Sequence, residues 1–600
     1  MDRNFILALV MTGLIFLGWD FFVLGPQKEA LAEQRAAAEQ ARIEQGLTDD
    51  PGATGDTDFL SSAAPTPLTR EDAIASSAAR LPIETPELTG SINLTGLTFD
   101  DITLKNYDDT VHDESAVVLL TPQQTDHAQY MRSGLAINGQ SDRQAQWTIA
   151  EGETLTPATP VTLTRTVGSV EHAVRISVDD KFMFAVDHKV TNNGSDAAVM
   201  QPYGASYQRN IPDDLQNMMI LFEGPLGVVG DRLYDRKYKQ MLKKGSIEQS
   251  GTGGWVGITD KYWLSAVIPP QDRPFRAKLD VQQGASPLFR STYELDPISV
   301  APGETMTITS HLFAGAKVVE VLRDYEAPIE DGGLGIQRFD MAVDWGNFFF
   351  LTRPIFNTLH FFHGLVGNYG IAILLLTLVI KAILFPLANM SFKSMAGMKK
   401  AQPEMQKIRE RYGDDRMKQQ QEMMALYKKH NINVAAGCLP MLAQMPIFYA
   451  LYKTLFTTIE MRHEPFLYIK DLSQRDPTTI FNLFGILPFD PTTVPYIGSF
   501  LGIGVLPLIM GACMWVQMKL NPPPADKTQA QIFAFMPLIF LFMFAPFAAG
   551  LVLYWAWNTF LGVVQQYTIM KRNGADVDLI GNIKDSLGLN KPKAANENSK

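Results

Sequence analysis

The chain has 600 residues, a formal net charge of −11 and two cysteines. That length exceeds one ordinary domain, and the acidic balance, drawn largely from residues 25 to 340, excludes the basic surface that specific nucleic-acid binding needs. Cys438 and Cys513 both lie in apolar stretches, which reads as small buried hydrophobes and leaves no disulfide framework or cysteine metal site.

From the N-terminus, Phe5 to Leu24 is apolar for about the 20 residues that a helix needs to cross a bilayer core. Residues 1–26 are therefore expected to form an uncleaved membrane anchor. A signal peptide is the competing reading, since Arg3 precedes the run and Ala30-Leu31-Ala32 fits a cleavage pattern. Residues 27–80 then read as a tether: an Ala/Glu/Gln/Arg-rich segment, followed by a flexible stretch rich in Asp, Gly, Ser, Thr and Pro. From Leu81 the pattern becomes short β-rich runs between turn residues, among them INLTGLTF, DITLKNY, VTLTRTV and FMFAVDHKVTN. Repeated strands of this kind predict an antiparallel β-sandwich over residues 81–340. It shows no nucleophile motif or zinc spacing, so it reads as a scaffold or docking surface, with a carbohydrate-binding sandwich as the alternative. Lys317 to Tyr325 is expected to be helical. Asp344 to Phe362, aromatic throughout and broken by Pro354, predicts an amphipathic helix at the outer membrane interface within 341–368.

Residues 369–572 carry five further apolar runs: Gly370 to Leu387, Ala435 to Leu455, Tyr496 to Met518, Ile532 to Pro546 and Ala548 to Gln565. With the anchor they predict six transmembrane helices. The segment 390–430 between the first two of these runs is rich in Lys and Arg, and the positive-inside rule makes it cytoplasmic. Both termini then fall in the cytoplasm, including the polar tail 573–600, and the β-rich domain falls in the periplasm. The cytoplasmic segment predicts a helical hairpin, Met390 to Tyr412 and Arg416 to Lys429, turning at Gly413-Asp414-Asp415. Met395, Met398, Met423 and Met424 offer adaptable apolar contacts, while Lys399 and Lys400 offer charge to anionic lipid or a partner.

Lys381 is read as the one basic residue well inside an apolar helix. A buried cation there costs several kcal/mol unless it faces water or a polar partner, and snorkelling toward the interface is the other reading. Gln444, Gln517, Tyr554, Trp555 and Asn558 bring polar groups from other spans. Inter-helix hydrogen bonding accounts for any one of them, and a hydrated groove accounts for them together. Such a groove needs no cofactor, neither nucleotide nor metal.

The strings KSMAGMKKAQPEMQKIRERYGDDRMKQQQEMMALYKKHNINVAAGCLPMLAQMPIFYALYKTLF, IEMRHEPFLYIKDLSQRDP, LPLIMGACMWVQMKLNPPP and AGLVLYWAWNTFLGVVQQ resemble the membrane region of the YidC/Oxa/Alb insertase family. The resemblance runs from about Phe339 to Arg572, and the preceding span with an acidic β-domain is similar to its Gram-negative form. It implies a five-helix core with a hydrophilic groove open to the cytoplasm, and a β-supersandwich outside. It also implies work as an insertase alone and as a chaperone beside the Sec translocon and its accessory subunits, on nascent membrane proteins. The ribosome or the signal recognition particle receptor is a further implied partner, at the hairpin tip Asp414-Asp415, together with membrane lipids. The family's groove cation, commonly arginine, falls on Lys381, which keeps the charge and loses the planar donor fork. Gln517, Tyr554 and Trp555 occupy positions similar to its groove residues. Two other classes are weighed against this. A transporter lacks support because no internal repeat or paired intramembrane acids are seen, and a covalent enzyme such as a sugar epimerase lacks paired acid and base groups.

Overall fold

The structure is a computed structural model that describes residues 67–586, apart from 78, 111–112, 214, 216–220, 414, 438, 485, 488, 490, 495–497, 522–526 and 576. The expected anchor, most of the tether, Asp414, Cys438 and the last residues of the tail lie outside the described residues.

Between Arg80 and Ala316 the chain forms two antiparallel sheets packed face to face, of ten and nine strands. Period-two burial explains the pairing. Val170–Val178 and Met183–Asn192 bury alternate side chains toward the core, and their register runs from Val170 opposite Asn192 to Val178 opposite Phe184. Asp179 sets the turn between them by accepting from the amides of Lys181 and Met183 at 2.9 and 3.0 Å. The run INLTGLTF, expected as one strand, is split. Gly96 and Leu97 both take positive φ, ending Leu88–Asn93 and starting Thr98–Thr110, so the second half of the run joins DITLKNY in one long strand.

A polar chain crosses the sandwich core. Tyr203 donates to Asp142 at 2.6 Å, Arg165 lies 4.0 Å from the same carboxylate and donates to His172 at 3.2 Å, and His172 meets His188 at 3.1 Å. His188 then meets Ser133 at 3.0 Å, and Ser133 meets Ser310 at 2.7 Å. Satisfied polar groups of this kind hold two sheets in one register, where an unpaired one would cost a few kcal/mol. Burial, with the Arg165 charge nearby, pulls His188 down to about 3, so the ring is neutral at ordinary pH.

The helix Val319–Glu326, expected from Lys317 to Tyr325, leads from the sandwich into the helical half. Nine helices of that half matter here: α1 (Phe349–Val366), α2 (Tyr369–Ile383), α3 (Phe385–Lys400), α4 (Gln402–Arg411), α5 (Arg416–Lys429), α6 (Leu439–Thr457), α7 (Val505–Leu520), α8 (Lys527–Phe544) and α9 (Ala549–Arg572). Gly367 ends α1 in the left-handed region, and the Asn368 side chain caps α2 by accepting from Ile371 at 3.1 Å. The expected span Gly370 to Leu387 is interrupted. Pro386 lacks an amide hydrogen and restricts the residue before it, so α2 stops at Ile383 and α3 leaves at 66°. The first hairpin arm is likewise broken, at Ala401 ahead of Pro403. Among the described residues no single helix is long and apolar enough to cross a membrane. The bent pair α2–α3 is so when taken together, and Val505–Leu520 and Gln531–Phe544 are shorter apolar helices.

Helix α9 is central, packing on α2, α3, α6 and α7, while α1 packs on α2 and α6. The connection from α6 to α7 fastens the sandwich to the helices. Arg462 donates to the carbonyls of Asp108 and Asp109 at 2.6 and 2.9 Å and lies over the Trp263 ring, and Glu460 accepts from the Val319 amide at 3.0 Å. Lys261 sits 3.8 Å from the centre of the Phe456 ring, and burial pulls its ammonium down to about 8.

Candidate functional site

Three helices bring polar groups to one side of α9. Tyr554, Asn558, Gly562 and Gln566 follow one another at four-residue spacing, which keeps them on one stripe of the helix. At the Gly562 level there is no side chain to fill the space. A Cβ built there would stand 3.5 Å from Lys381 Nζ, on α2, and 3.5 Å from Gln517 Nε2, on α7. Lys381 and Gln517 therefore converge on the bare backbone of α9. Lys381 makes no ion pair among the described residues, and it is neither buried nor fully exposed. Two turns away along α9, about 12 Å at the helical rise, Gln444 of α6 donates to the hydroxyl of Tyr554 at 2.5 Å. Tyr554 is fully buried there. Between the two levels the buried Asn558 Oδ1 has no hydrogen-bond partner among the described residues.

The other groove candidate stands apart. Trp555 points into an aromatic box, its ring centre 4.7 Å from Phe448, 5.0 Å from Phe544 and 6.5 Å from Phe540. It packs α8 against α6 and α9 and is not gathered with Lys381. Gln566, absent from the sequence-based set, belongs to the stripe: it is 1% exposed and donates to Asn521 at 2.8 Å. Its four-residue interval from Gly562 was the signal available for finding it. Lys381 is also not the one basic residue within an apolar helix. Lys453 lies inside α6, 2% exposed, and its ammonium is neutralised by an ion pair with Asp344. A charge with a built-in partner is structural in character.

The hairpin candidates divide as well. Met398 and Met423 pack with Ala401, Met405, Leu426 and Ile432 in the hairpin's own core, so they are not free contact residues. Met424 is 62% exposed, Met395 and Lys399 are half-buried, and Lys400 is exposed. Asp415 caps α5 by accepting from the Lys418 amide at 3.0 Å, which gives this tip carboxylate a structural duty. Glu404 ties the arms together through Lys429 at 3.1 Å and His430 at 3.2 Å.

The arrangement offers one cation and several uncharged donors and acceptors strung along apolar helices, with no nucleophile beside a base and, among the described residues, no group of side chains able to hold a metal ion. Groups of this kind can hydrogen-bond a polar segment that would otherwise lie among apolar side chains. Comparison with known proteins gives the family. Residues 361–576 match the family model described as 60Kd inner membrane protein, and residues 80–358 match the YidC periplasmic domain. A membrane protein insertase YidC from Maricaulis maris is 46% identical over 588 residues, covering 96% of this chain and 97% of that protein. One from Brucella suis is 45% identical over 619 residues, with 99% of each covered. A crystal structure of an active YidC insertase with its first transmembrane domain resolved aligns over 82% of this chain and 93% of that one, at 18% identity and a TM-score of 0.36.

Proposed function

The chain belongs to the YidC family of membrane protein insertases, and from that premise we propose how this inner-membrane protein with a periplasmic β-sandwich receives its substrates. The polar flank of a nascent membrane protein enters a groove that opens to the cytoplasm and is lined by Lys381, Gln444, Gln517, Tyr554 and Asn558. Its apolar segment leaves sideways between α6 and α8 into lipid. The observation that carries this reading is the convergence of Lys381 and Gln517 on the side-chain-free surface at Gly562. Gly562 is itself buried beneath the two side chains, so a cation and an amide stand together over bare helix backbone, and a polar segment that displaced them from it would recover part of the several kcal/mol it meets in hydrocarbon. No bond is made or broken, and no nucleotide is spent.

In this reading the helical half forms five spans after the first, the bent α2–α3 pair among them, with the hairpin and both termini in the cytoplasm. The ten Lys and Arg residues between Lys393 and Lys429 support that orientation. The exposed Met417 and Met424 of the hairpin meet incoming apolar chain, and its cations meet anionic lipid, a ribosome or the signal recognition particle receptor. The Sec translocon and its accessory subunits are the membrane partners. The test is insertion of substrates with acidic and with neutral translocated tails by Lys381→Arg and Lys381→Ala proteins. Arg should preserve both, and Ala should slow the acidic tail most, because attraction to a desolvated cation exceeds that in water. Equal insertion of every tail by Lys381→Ala contradicts the charge-attraction step.

A further inference from the structure

The connection between α6 and α7 carries a surface that the groove does not use. From Pro477 to Met518 the sequence holds a single charged residue, Asp490. Within this stretch Phe481, Leu483, Phe484, Ile486 and Phe489 are all exposed, Ile486 by 79%, and Leu467 just before it by 84%. Contiguous exposed apolar side chains of this size mark a contact surface rather than a solvated loop. Leu483 and Phe484 both sit at positive φ, 52° and 59°, a backbone region that branched or bulky residues rarely adopt. The loop closes its own hydrogen bonds: Phe484 donates to Thr479 at 2.8 Å, Leu487 donates to Asn482 at 3.0 Å, and the Asn482 side chain donates to Phe489 at 3.3 Å. Each backbone group paired in this way lowers the cost of leaving water.

Its level in the molecule is fixed by the helix ends. The carbonyl of Gln474 accepts from Ala549 at the start of α9 at 2.6 Å, Asp476 accepts from Leu506 at the start of α7 at 2.9 Å, and Asn368 at the start of α2 donates to Pro465 at 2.9 Å. The loop thus lies where three apolar helices begin, beside the end of α1, whose Phe361 and Leu365 are also exposed. We infer that Phe481, Leu483, Phe484, Ile486 and Phe489, with Leu467, insert into the outer leaflet of the bilayer and act as a second membrane contact beside α1. Continuity with the membrane-facing helix ends selects phospholipid over a protein partner as the occupant, and the exposed Lys470 and Arg475 at its border suit the phosphate headgroups. This inference rests on the proposed orientation of the helices.

The test uses the full chain with Cys438 and Cys513 replaced by alanine, reconstituted in vesicles of phosphatidylethanolamine and phosphatidylglycerol. Nitroxide labels are placed one at a time on Leu467→Cys, Ile486→Cys, Leu378→Cys on α2, and Lys243→Cys on the sandwich. Collision with dissolved oxygen is compared with collision with a water-soluble nickel chelate. The inference expects labels at 467 and 486 to favour oxygen over the chelate several-fold more than the label at 243, as the label at 378 does. Labels at 467 and 486 as open to nickel as the one at 243, with 378 still lipid-embedded, overturn the loop's insertion and leave the membrane reading standing. Labels immobilised and shielded from both reagents mean a protein contact and overturn it too. A nickel-accessible 378 overturns the placement of α2 itself.

Discussion

Gly562 gives the proposed groove its sharpest perturbation. Gly562→Ala adds one methyl that sits 3.5 Å from both Lys381 Nζ and Gln517 Nε2, ordinary contact distance, and removes a glycine from a helix interior. It should stabilise α9 by about 0.5 to 1 kcal/mol and leave the polar space open. Gly562→Leu instead drives a branched apolar side chain between the ammonium and the amide. It displaces whatever solvates Lys381, at a cost of roughly 3 kcal/mol on insertion scales for a lysine facing hydrocarbon. If the groove is where substrate is held, insertion falls by about tenfold or more for Leu, since about 1.4 kcal/mol lost at the holding step is a factor of ten. The assay is insertion of a single-span substrate with a short acidic tail into vesicles carrying each variant, with thermal unfolding in detergent run alongside. Leu inserting as well as the parent protein refutes the reasoning. So does Ala failing as badly as Leu while its unfolding temperature is unchanged, because then the space itself is not what matters.

Two further outcomes follow from groups outside the groove. Asp476 is 3% exposed and accepts from Thr478, Leu506 and Tyr468 at the start of α7, so Asp476→Ala should destabilise the full-length protein by about 3 kcal/mol, read by thermal unfolding in detergent. An unchanged midpoint means the carboxylate does not hold the helix. His188 is pulled well below its unfolded value near 6.5, so the unfolded chain binds the extra proton first; the stability this gives is whole above about pH 6.5 and is lost as pH falls toward 3. At pH 5 the loss is about 2 kcal/mol, and calorimetry on the full chain should show the sandwich transition dropping from pH 7 to pH 5, less steeply in His188→Asn.

The β-sandwich was legible because half-buried antiparallel strands write a period of two into the sequence. Where a turn needed positive φ, as at Leu97, no proline or Asn-Gly pair announced it, and two strands read as one. The helical half was legible as apolar runs, yet hydropathy does not see a break such as that before Pro386, nor which side of a helix a polar residue takes. Gln444 and Tyr554 lie 110 residues apart, and their hydrogen bond exists only through the packing of α6 on α9. Lys453 was passed over because its partner, Asp344, lies 109 residues earlier, outside any window that pattern reading uses. Trp555 looked like its polar neighbours in sequence, but one residue is 100° of helix, enough to turn it from the stripe into the aromatic box.

The most direct test of the account is photocrosslinking from Gln517 in native membranes to a stalled nascent chain carrying one apolar segment. Ile509, exposed on the same helix, serves as the lipid-facing control. A substrate path through the groove predicts crosslinks from 517 that vanish when the chain is released, and few from 509. Crosslinks from neither position, or equally from both, would mean that Lys381, Gln517 and Gly562 form a structural polar cluster and that substrates pass elsewhere.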